Sequence, residues 1–392
     1  MQSFKQTEYQ EEDDPPSLGG LSNLSGFKKE EPMQEAGSFF VAVKNPVWFM
    51  KKERKKTIAI LYSDARREYF PSAEQYITEA EVFGRAKIIA PYFEKIGFHV
   101  NLLPGNNDLS DELKKLKPDL VLNLVDSVYG QEHLAAIIPA TLDLFNLPYI
   151  GTGMLGLAIN SNKFLTKKLL EQAGLPLPRY QLFNNSTDPL DSQLKFPLIS
   201  KLNEIHGSVA IDQNSVSENE FHLRERLKKL IKTYHQPVLV EEFIVGKELS
   251  AYLLEGASKK VYIGEKIFSD AGSKFKLATF DAVWRDINSY DYARSSGHGM
   301  LEGYVRTAFD ILKMDDYAKF DIRQDESGRY YFIDCNANPA FGPLETDCAI
   351  SHIMKMYNID FSEIIRRLIL NTTKDESNLT EFNPNNGKNL WR

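Results

Sequence analysis

Apolar runs of strand length alternate with longer mixed stretches in the first part of the chain. Residues 57–62, 98–103 and 119–124 are three such runs, rich in Ile, Leu and Val. The stretches between them, residues 72–96 and 109–116, predict a long helix and a short helix. Strands that alternate with helices favour a parallel sheet with helices on both faces. We therefore predict a doubly wound α/β domain in this part of the chain.

A further predicted helix, over residues 134–145, leads to a short strand at Tyr149-Ile150. Sheets of this kind bind ligands beyond the carboxyl ends of their strands. The third predicted strand reaches that edge just before a polar segment. The candidate ligand contacts in this segment are Asp126, Tyr129, Gly130, Gln131 and Glu132.

The pattern after residue 160 predicts two smaller units that mix helices with strands. A helix begins near Ser161 and ends at Gly174, with Pro176 and Pro178 after it, which is a typical helix stop. The middle unit continues with strands at 196–201, 238–243 and 248–254 and a helix at 218–234. The last unit has strands at 261–267, 318–323 and 330–335 and helices at 301–312 and 360–370. The predicted class is α/β and α+β.

Composition adds domain boundaries to this pattern. At 392 residues the chain is long enough for two or three domains. Residues 1–38 are rich in Glu, Asp, Ser, Gly and Pro with few apolar anchors, which is typical of disorder. The predicted organisation is a largely disordered extension at 1–55 with a docking segment near 39–50, an α/β domain at 56–158, a central subdomain at 159–250, a C-terminal subdomain at 251–372, and a flexible tail at 373–392.

Charge and composition exclude several classes of function. The net charge is −7 with 42% hydrophobic and 26% charged residues, which lacks the basic footprint of a nucleic-acid-binding protein. The two cysteines, Cys335 and Cys348, do not indicate a disulfide framework. No stretch is long and apolar enough to span a bilayer, and the acidic N-terminus is unlike a signal peptide. We therefore predict a cytoplasmic protein that acts on neither nucleic acid nor membranes.

Three hard oxygen donors lie towards the ends of the last two predicted strands: Asp321, Asp334 and Asn336. A good hairpin turn at residues 325–329 separates the strands, so Asp321 and Asp334 can face each other across the pair. Asp334 and Asn336 share one face because side chains alternate along a strand. Such oxygens suit a Mg²⁺ ion that keeps waters and holds a polyphosphate. For any one of these residues, a turn or a salt-bridged strand end is the competing interpretation.

Two lysines are candidates for contact with an anion. Lys163 falls in the first turn of a predicted helix, where a cation opposes the helix macrodipole unless an anion is near. Lys201 closes a predicted strand and opens a glycine-containing loop at 204–209. Each lysine alone is more often a solvated charge. The chain has no G-x-x-x-x-G-K-[ST] loop, so a bound nucleotide would have to be held by lysines and a metal.

The predicted strand at 238–243 offers a different kind of contact. Exposed backbone beside an aromatic residue suits the edge of a purine, and a nearby carboxylate suits ribose hydroxyls. The residues that could supply these contacts are Glu241, Phe243, Ile244 and Glu248.

From about residue 57 to residue 370, the order and spacing of these segments resemble an ATP-grasp ligase, most closely the D-alanine–D-alanine ligase branch. The segments that carry the resemblance are Tyr149-Ile150-Gly151-Thr152-Gly153, Asn162-Lys163 with Thr166-Lys167, Leu175-Pro176-Leu177-Pro178, and residues 238–248. The resemblance implies an ATP-grasp fold behind an N-terminal doubly wound parallel α/β domain, with ATP and Mg²⁺ as cofactors.

The resemblance also implies a role for each matching residue. Lys163 and Lys201 would contact phosphates, and Lys274, in an ω-loop at residues 268–275, would contact the γ-phosphate during catalysis. Lys319 stands where the family has an arginine that stabilises an oxyanion. The full implied cofactor-binding set is Lys163, Lys201, Glu241, Phe243, Ile244, Glu248 and Lys274, and the implied metal ligands are Asp321, Asp334 and Asn336.

The implied reaction transfers the γ-phosphoryl group of ATP to a carboxylate, and an amine then attacks the acyl phosphate. This chain departs from the family where the amino acids would bind: the substrate-binding glutamate has no counterpart at residues 64–67, and residues 126–133 differ. We predict an ATP-dependent carboxylate–amine ligase acting on small amino-acid or peptide-like carboxylates and amines. The alternatives are a true D-alanine–D-alanine ligase and an ATP-binding regulatory protein that has lost ligation. The resemblance favours a homodimer, and the acidic N-terminal tail is a candidate contact for a protein partner.

Overall fold

The structure, a computed structural model, describes residues 55–269, 272–286 and 288–373. The predicted docking segment, nearly all of the N-terminal extension and the C-terminal tail lie outside these residues, and the proposed domain boundaries remain predictions. No helix within the described ranges is long and apolar enough to cross a membrane.

The first sheet is parallel, with strand order β2-β1-β3-β4. Along β1, Ile58 and Ile60 belong to one apolar core while Ala59 and Leu61 belong to another, so helices cover both faces. This confirms the doubly wound prediction. The strands are β1 (Thr57–Ser63), β2 (His99–Gly105), β3 (Leu120–Leu124) and β4 (Tyr149–Ile150), and the helices are α1 (Ala73–Ala80), α2 (Val82–Lys95), α3 (Leu109–Leu116) and α4 (Ile137–Leu144).

The single long helix predicted over residues 72–96 is two helices, α1 and α2. Ser72 caps α1 by accepting the Gln75 N–H at 3.1 Å, and Glu81 forms the junction between the helices. No glycine or proline marks this break in the sequence, so the local pattern could not reveal it. The break matters for the site described below because α1 carries Glu79.

The second sheet has the strand order β5-β8-β6-β7, and all its pairs are antiparallel. Leu223, Leu227 and Leu230 recur at helical spacing on α7 and pack onto the sheet beside Leu198 and Val240. Strand β5 was not predicted from the sequence. The strands are β5 (Tyr180–Phe183), β6 (Leu198–Leu202), β7 (Val216–Ser217) and β8 (Val238–Glu242), and the helices are α5 (Met154–Asn160), α6 (Lys163–Gln172) and α7 (Glu220–Tyr234).

The third sheet is antiparallel, with strand order β11-β10-β9-β12-β13. One face is apolar: Leu249, Ala251, Phe320 and Ile322 pack against a helix, α9. Strand β11 was not predicted. The strands are β9 (Lys247–Leu254), β10 (Lys260–Phe268), β11 (Tyr290–Arg294), β12 (Tyr317–Gln324) and β13 (Tyr330–Asn336), and the helices are α8 (Phe280–Trp284), α9 (Gly299–Ile311), α10 (Ala349–Met356) and α11 (Phe361–Thr373).

Two glycines allow close approaches of the backbone. Gly246, in the turn between β8 and β9, has φ +145°, and a Cβ there would lie 2.0 Å from the Gln324 carbonyl oxygen. The turn therefore stays close to the end of β12. Gly156 closes a G-x-G-x-x-G pattern at residues 151–156, and its Cβ would lie 2.1 Å from the Lys313 carbonyl oxygen. Helix packing thus explains the last glycine of this pattern.

Candidate active site

The site lies on the polar face of the third sheet. Alternation along β12 turns Phe320 and Ile322 into the core and leaves Lys319, Asp321 and Arg323 on the opposite face. In the β12–β13 pair, Asp321 is opposite Asp334 and Lys319 is opposite Asn336. The expected facing of Asp321 and Asp334 across the hairpin is therefore confirmed, which places four polar side chains next to one another.

Asp321 is held by cations and a hydroxyl. Lys319 forms an ion pair with it, the Lys266 ammonium lies 3.5 Å away, and the Ser250 hydroxyl donates to it at 2.7 Å. Burial alone would raise the pKa of Asp321, but the two lysines outweigh it and hold the pKa well below its ordinary value. The carboxylate is therefore ionised and available as a ligand.

Glu248 lies between two cations on the same face. Its oxygens are 2.7 Å from the Lys266 ammonium and 2.7 Å from the Arg323 guanidinium. Burial opposes ionisation, yet these two partners lower the pKa of Glu248 below its ordinary value. Lys266 and Arg323 were not found by sequence reasoning, although Arg323 continues the alternation of Lys319 and Asp321.

A first cavity of about 790 Å³ opens between the second and third sheets. It brings together most of the residues predicted to bind the cofactor or the metal. Those that line it are Lys163, Lys201, Glu241, Phe243, Ile244, Glu248, Asp321 and Asp334. Lys274, Lys319 and Asn336 are not among its lining residues.

Lys163 begins α6, as predicted, with Asn162 as the cap. Its ammonium donates to the Ile205 carbonyl oxygen at 2.7 Å, which places the lysine under the 204–209 loop. Burial lowers the pKa of Lys163, while the charge of Asp334 acts in the opposite direction. Burial raises the pKa of Asp334, and Lys163, His206 and Lys201 reverse that shift, so its pKa lies below the ordinary value.

Glu241 is fully buried between two lysines. Its oxygens lie 2.9 Å from the Lys167 ammonium and 2.9 Å from the Lys201 ammonium. Burial would raise the pKa of Glu241, but both lysines together hold it below the ordinary value. Sequence reasoning missed Lys167 as a site residue, although it lies one helical turn after Lys163 on α6.

The rest of the first cavity offers an apolar slot. The Arg323 guanidinium lies 4.8 Å from the ring centroid of Phe243. The rings of Phe243 and Phe275 pack edge to face with their centroids 5.3 Å apart. Ile199, Ile244 and Leu277 also line the cavity. A flat aromatic group would fit beside such side chains.

The structure does not bring Lys274 to either cavity. Lys274 forms an ion pair with Glu218, and its side chain is 68% exposed. The residues that directly follow the ω-loop do reach the first cavity: Leu277 and Ala278 line it, and Arg323 donates to the Lys276 carbonyl oxygen. A catalytic role for Lys274 stays a prediction.

A second, larger cavity adjoins the first and measures about 1770 Å³, including the part open to solvent. Lys319 and Asn336 line this cavity and not the first. The wall between the two cavities is formed by residues that line both, namely His206, Ser208, Lys266, Ala278, Asp321 and Asp334. Two of the three predicted metal ligands, Asp321 and Asp334, therefore lie where the two cavities meet, and Asn336 lies on the side of the second cavity.

The first domain contributes an acidic wall to the second cavity. Asp126 and Glu132, both predicted from the sequence, line it together with Glu79 of α1. Sequence reasoning did not single out Glu79, because no local pattern places it beside Asp126 and Glu132. Arg66, by contrast, pairs with Asp64 at 3.2 Å and does not line the cavity.

Glu132 ties the first domain to the loop between the cavities. It accepts the His206 backbone N–H at 2.7 Å and pairs with the His206 ring nitrogen Nδ1. His206 belongs to the 204–209 loop, whose residues Ile205, Ser208 and Val209 line the first cavity. The loop therefore has a polar anchor in the first domain.

The donor set suits a hard cation that binds jointly with phosphate oxygens. Asp321, Asp334 and Asn336 offer only oxygen donors of the kind Mg²⁺ prefers. No cluster of three His, Cys, Asp or Glu side chains that could hold a metal is found among the described residues. These residues therefore fit Mg²⁺ that completes its shell with water and phosphate, as the sequence predicts, and not a metal enclosed by protein alone.

Asp126 makes stability depend on pH. Burial raises its pKa from 3.8 to about 7; Glu132 adds to the rise, whereas Arg85, Asn338 and His206 oppose it. In the unfolded chain Asp126 loses its proton near pH 4, whereas the folded protein retains it up to about pH 7. Stability therefore falls as the pH rises through this window, and the full penalty is present above pH 7.

We expect Asp126→Asn to raise the midpoint of thermal unfolding by about 2–5 °C at pH 8, corresponding to about 1–2 kcal/mol after allowance for the partial exposure of the carboxylate. Asparagine keeps an oxygen that can accept the Asn338 amide, which Asp126 now accepts at 2.8 Å. The increase in the unfolding midpoint should become smaller towards pH 4. Scanning calorimetry of both proteins at pH 4, 6 and 8 measures this increase, and an increase that does not depend on pH would contradict the prediction.

Comparisons with known proteins agree with this geometry. A family model described as "D-ala D-ala ligase C-terminus" matches residues 169–370, just over half of the chain. The D-alanine–D-alanine ligase of Aquifex aeolicus is 22% identical over 293 residues, which are 72% of this chain and 92% of that protein. The corresponding protein of Pelagibacter ubique is 24% identical over 297 residues, 72% of this chain and 90% of that protein.

Solved structures show the same fold. The D-alanine–D-alanine ligase from Bacillus anthracis matches with a TM-score of 0.61 at 18% identity, over 81% of this chain and 98% of that one. The structure of that enzyme complexed with ATP matches with a TM-score of 0.60 at 17% identity, over the same shares of both chains. The likeness therefore covers most of the chain and shows the fold.

Proposed function

Since this chain belongs to the D-alanine–D-alanine ligase family, we propose that its two adjoining cavities perform ATP-dependent ligation of a carboxylate to an amine. The protein is an ADP-forming ATP-grasp ligase that makes a carbon–nitrogen bond and uses ATP and Mg²⁺. The observation that carries the residue assignment is the position of Asp321 and Asp334. Both residues line the two cavities. The first cavity has an apolar slot and lysines, and the second has an acidic wall.

The first cavity is the proposed nucleotide site. Phe243 and Ile244 line its apolar slot and would contact adenine, while Glu248 would accept ribose hydroxyls. Lys163 and Lys201 also line this cavity and would bind phosphate oxygens. Glu241 would act beside the adenine by holding Lys201, to which it is already paired.

The proposed metal ligands are Asp321, Asp334 and Asn336. Bound Mg²⁺ would neutralise negative charge on the transferring phosphoryl group. Lys266 and Lys319 hold Asp321 from two sides and keep it ionised. They also add positive charge where phosphate charge accumulates.

The reaction then runs between the cavities. A substrate carboxylate oxygen in the second cavity attacks the γ-phosphorus; the bond to the bridging oxygen breaks and ADP leaves. The amine nitrogen attacks the acyl carbon, phosphate departs, and the amine loses a proton. Lys319 lies beside Asp321 and lines the second cavity, where it would stabilise the oxyanion that forms on the acyl carbon.

The ω-loop at residues 268–275 would close over the nucleotide during the reaction and protect the acyl phosphate from water. Leu277 and Ala278 already line the first cavity, and Lys274 would leave Glu218 to reach the γ-phosphate. The finer predictions of a homodimer and of a protein partner for the N-terminal tail remain part of this proposal.

The test is ADP release by the purified protein with Mg²⁺-ATP across a panel of D- and L-amino acids and small carboxylates. We expect release that depends on both a carboxylate and an amine, with the amide product detected by mass spectrometry. In the same assay, Lys274→Ala should lower kcat by about tenfold or more because a γ-phosphate contact is lost. If no pair raises ADP release above the rate with ATP alone, the protein is an ATP-binding regulator and not a ligase. If D-alanine alone is the best substrate, it is a true D-alanine–D-alanine ligase.

A further inference from the structure

The acidic wall of the second cavity carries buried carboxyl groups without a cationic partner. Glu79 is 4% exposed and lines the cavity, and its oxygen Oε2 has no hydrogen-bond partner within the described part of the chain. Asp126, which follows β3, lines the same cavity and contacts the Asn338 amide at 2.8 Å. Burial raises the pKa of Glu79 well above its ordinary value, and the charge of Asp126 adds to that rise.

Among the described residues that line the second cavity, the one arginine is Arg85. Arg85 lowers the pKa of Asp126, but its terminal nitrogen pairs with Glu81 at 3.3 Å. His206 is already engaged by Glu132. No salt bridge to Glu79 or Asp126 is found among the described residues. Buried carboxylates in this state favour binding of a cation.

The second cavity itself also suits the stem and head of a basic side chain. Trp284, Tyr290 and Tyr292 line it, and aromatic faces attract ammonium and guanidinium groups. The Lys266 ammonium already lies 5.5 Å from the Tyr290 ring centroid.

We propose that the second cavity selects a basic substrate: a diamino acid, or a peptide that begins with one, whose two ammonium groups lie against Glu79 and Asp126. This inference rests on the proposed ligase function and names the substrate class of that same site. The α-ammonium of an ordinary amino acid would satisfy one of the two carboxylates. A side-chain ammonium satisfies the second, so a neutral side chain of equal length leaves one buried carboxyl group without a cationic partner.

The test compares lysine with norleucine, which matches it in length but lacks the charge, and with glutamate. The full chain is assayed with Mg²⁺-ATP and each amino acid as either enantiomer, alone and paired with alanine. We expect kcat/KM for one enantiomer of lysine to exceed that of norleucine by about tenfold or more, and glutamate to be the poorest substrate. Equal rates for lysine and norleucine would overturn the proposal while leaving the ligase function intact.

Variants locate the preference. Asp126→Asn and Glu79→Gln should each reduce the ratio of kcat/KM for lysine to kcat/KM for norleucine by about tenfold. Asp111→Asn removes an exposed carboxylate of the same domain, which pairs with Lys114 at 3.2 Å, and should leave the ratio unchanged. A ratio that persists in both cavity variants would show that these carboxylates do not select the substrate.

A binding measurement keeps the proposal separate from catalysis. Calorimetric titration of the chain with lysine and with norleucine, in the presence of Mg²⁺ and a non-hydrolysable ATP analogue, needs no turnover. Tighter binding of lysine supports a basic substrate even if alanine is the wrong partner for ligation. If lysine binds more tightly but no substrate pair of the panel releases ADP, the ligase function is rejected and the cation-binding site is retained. If lysine and norleucine bind equally, the cation-binding site is rejected.

Discussion

Replacing Asp334 with asparagine should lower kcat for ADP release by about a thousandfold, the equivalent of about 4 kcal/mol of transition-state stabilisation. Asp334 lies opposite Asp321 on the last hairpin and lines both cavities. Asparagine keeps the shape but removes the negative charge that a hard cation prefers. Asp321→Asn should have a similar effect, although it also leaves Lys319 and Lys266 without their shared partner.

The measurement is the steady-state rate of ADP release as a function of Mg²⁺ concentration. If Asp334 is a metal ligand, the variant should require more Mg²⁺ for half of its residual activity. Asp291→Asn, an exposed carboxylate on β11 of the same sheet, is the matched control and should behave as the unaltered protein does. A rate within tenfold of normal for Asp334→Asn, in a protein that unfolds at its usual temperature, would refute the assignment.

Glu241→Gln should lower the midpoint of thermal unfolding by roughly 5–10 °C, because breaking a buried ion pair costs about 3–5 kcal/mol. Glu241 is fully buried and is the carboxylate that both Lys167 and Lys201 contact at 2.9 Å. Glutamine would leave two buried ammonium groups facing a neutral amide. Their remaining partners are the carbonyl oxygens of Phe332 and Ile333, at 3.1 and 2.9 Å.

A double variant separates charge imbalance from lost packing. Glu241→Gln combined with Lys167→Met removes one charge of each sign, so it should recover part of the midpoint lost in Glu241→Gln alone. Glu220→Gln breaks an exposed pair with Arg224 and should cost less than about 1 kcal/mol. If the double variant is as unstable as the sum of its single changes, the three groups do not form a coupled ion-pair network.

Much of the fold follows from two local patterns in the sequence, the alternation of apolar residues and the position of turn residues. The apolar run at residues 57–61 alternates between two cores, which only a sheet covered on both faces can satisfy. In the last hairpin, the turn at residues 325–329 and the alternation of Lys319, Phe320 and Asp321 predict which side chains share a face. The opposition of Asp321 and Asp334 was therefore predictable, since register follows from the turn and the apolar pattern.

Other features required contacts that no local pattern records. Strand β9 lies between β10 and β12, so the contact of Lys266 with Asp321 depends on the strand order of the whole sheet. Lys274 pairs with Glu218, a residue distant in the sequence, and the γ-phosphate contact that the family resemblance implies for Lys274 stays a prediction. Glu79 reaches the second cavity only because the fold brings α1 beside Asp126 and Glu132.

The sequence by itself determined the fold class and the hairpin that carries the acidic pair, because periodicity and turn chemistry act between near neighbours. The candidate residues of the ATP site came from the resemblance to ATP-grasp ligases. Only the tertiary structure decided which charges are paired and which remain unpaired. It encloses Glu241 between two lysines and leaves Glu79 and Asp126 without a salt bridge among the described residues. Burial and long-range proximity set the energy of a charge, and both are properties of the assembled sheets.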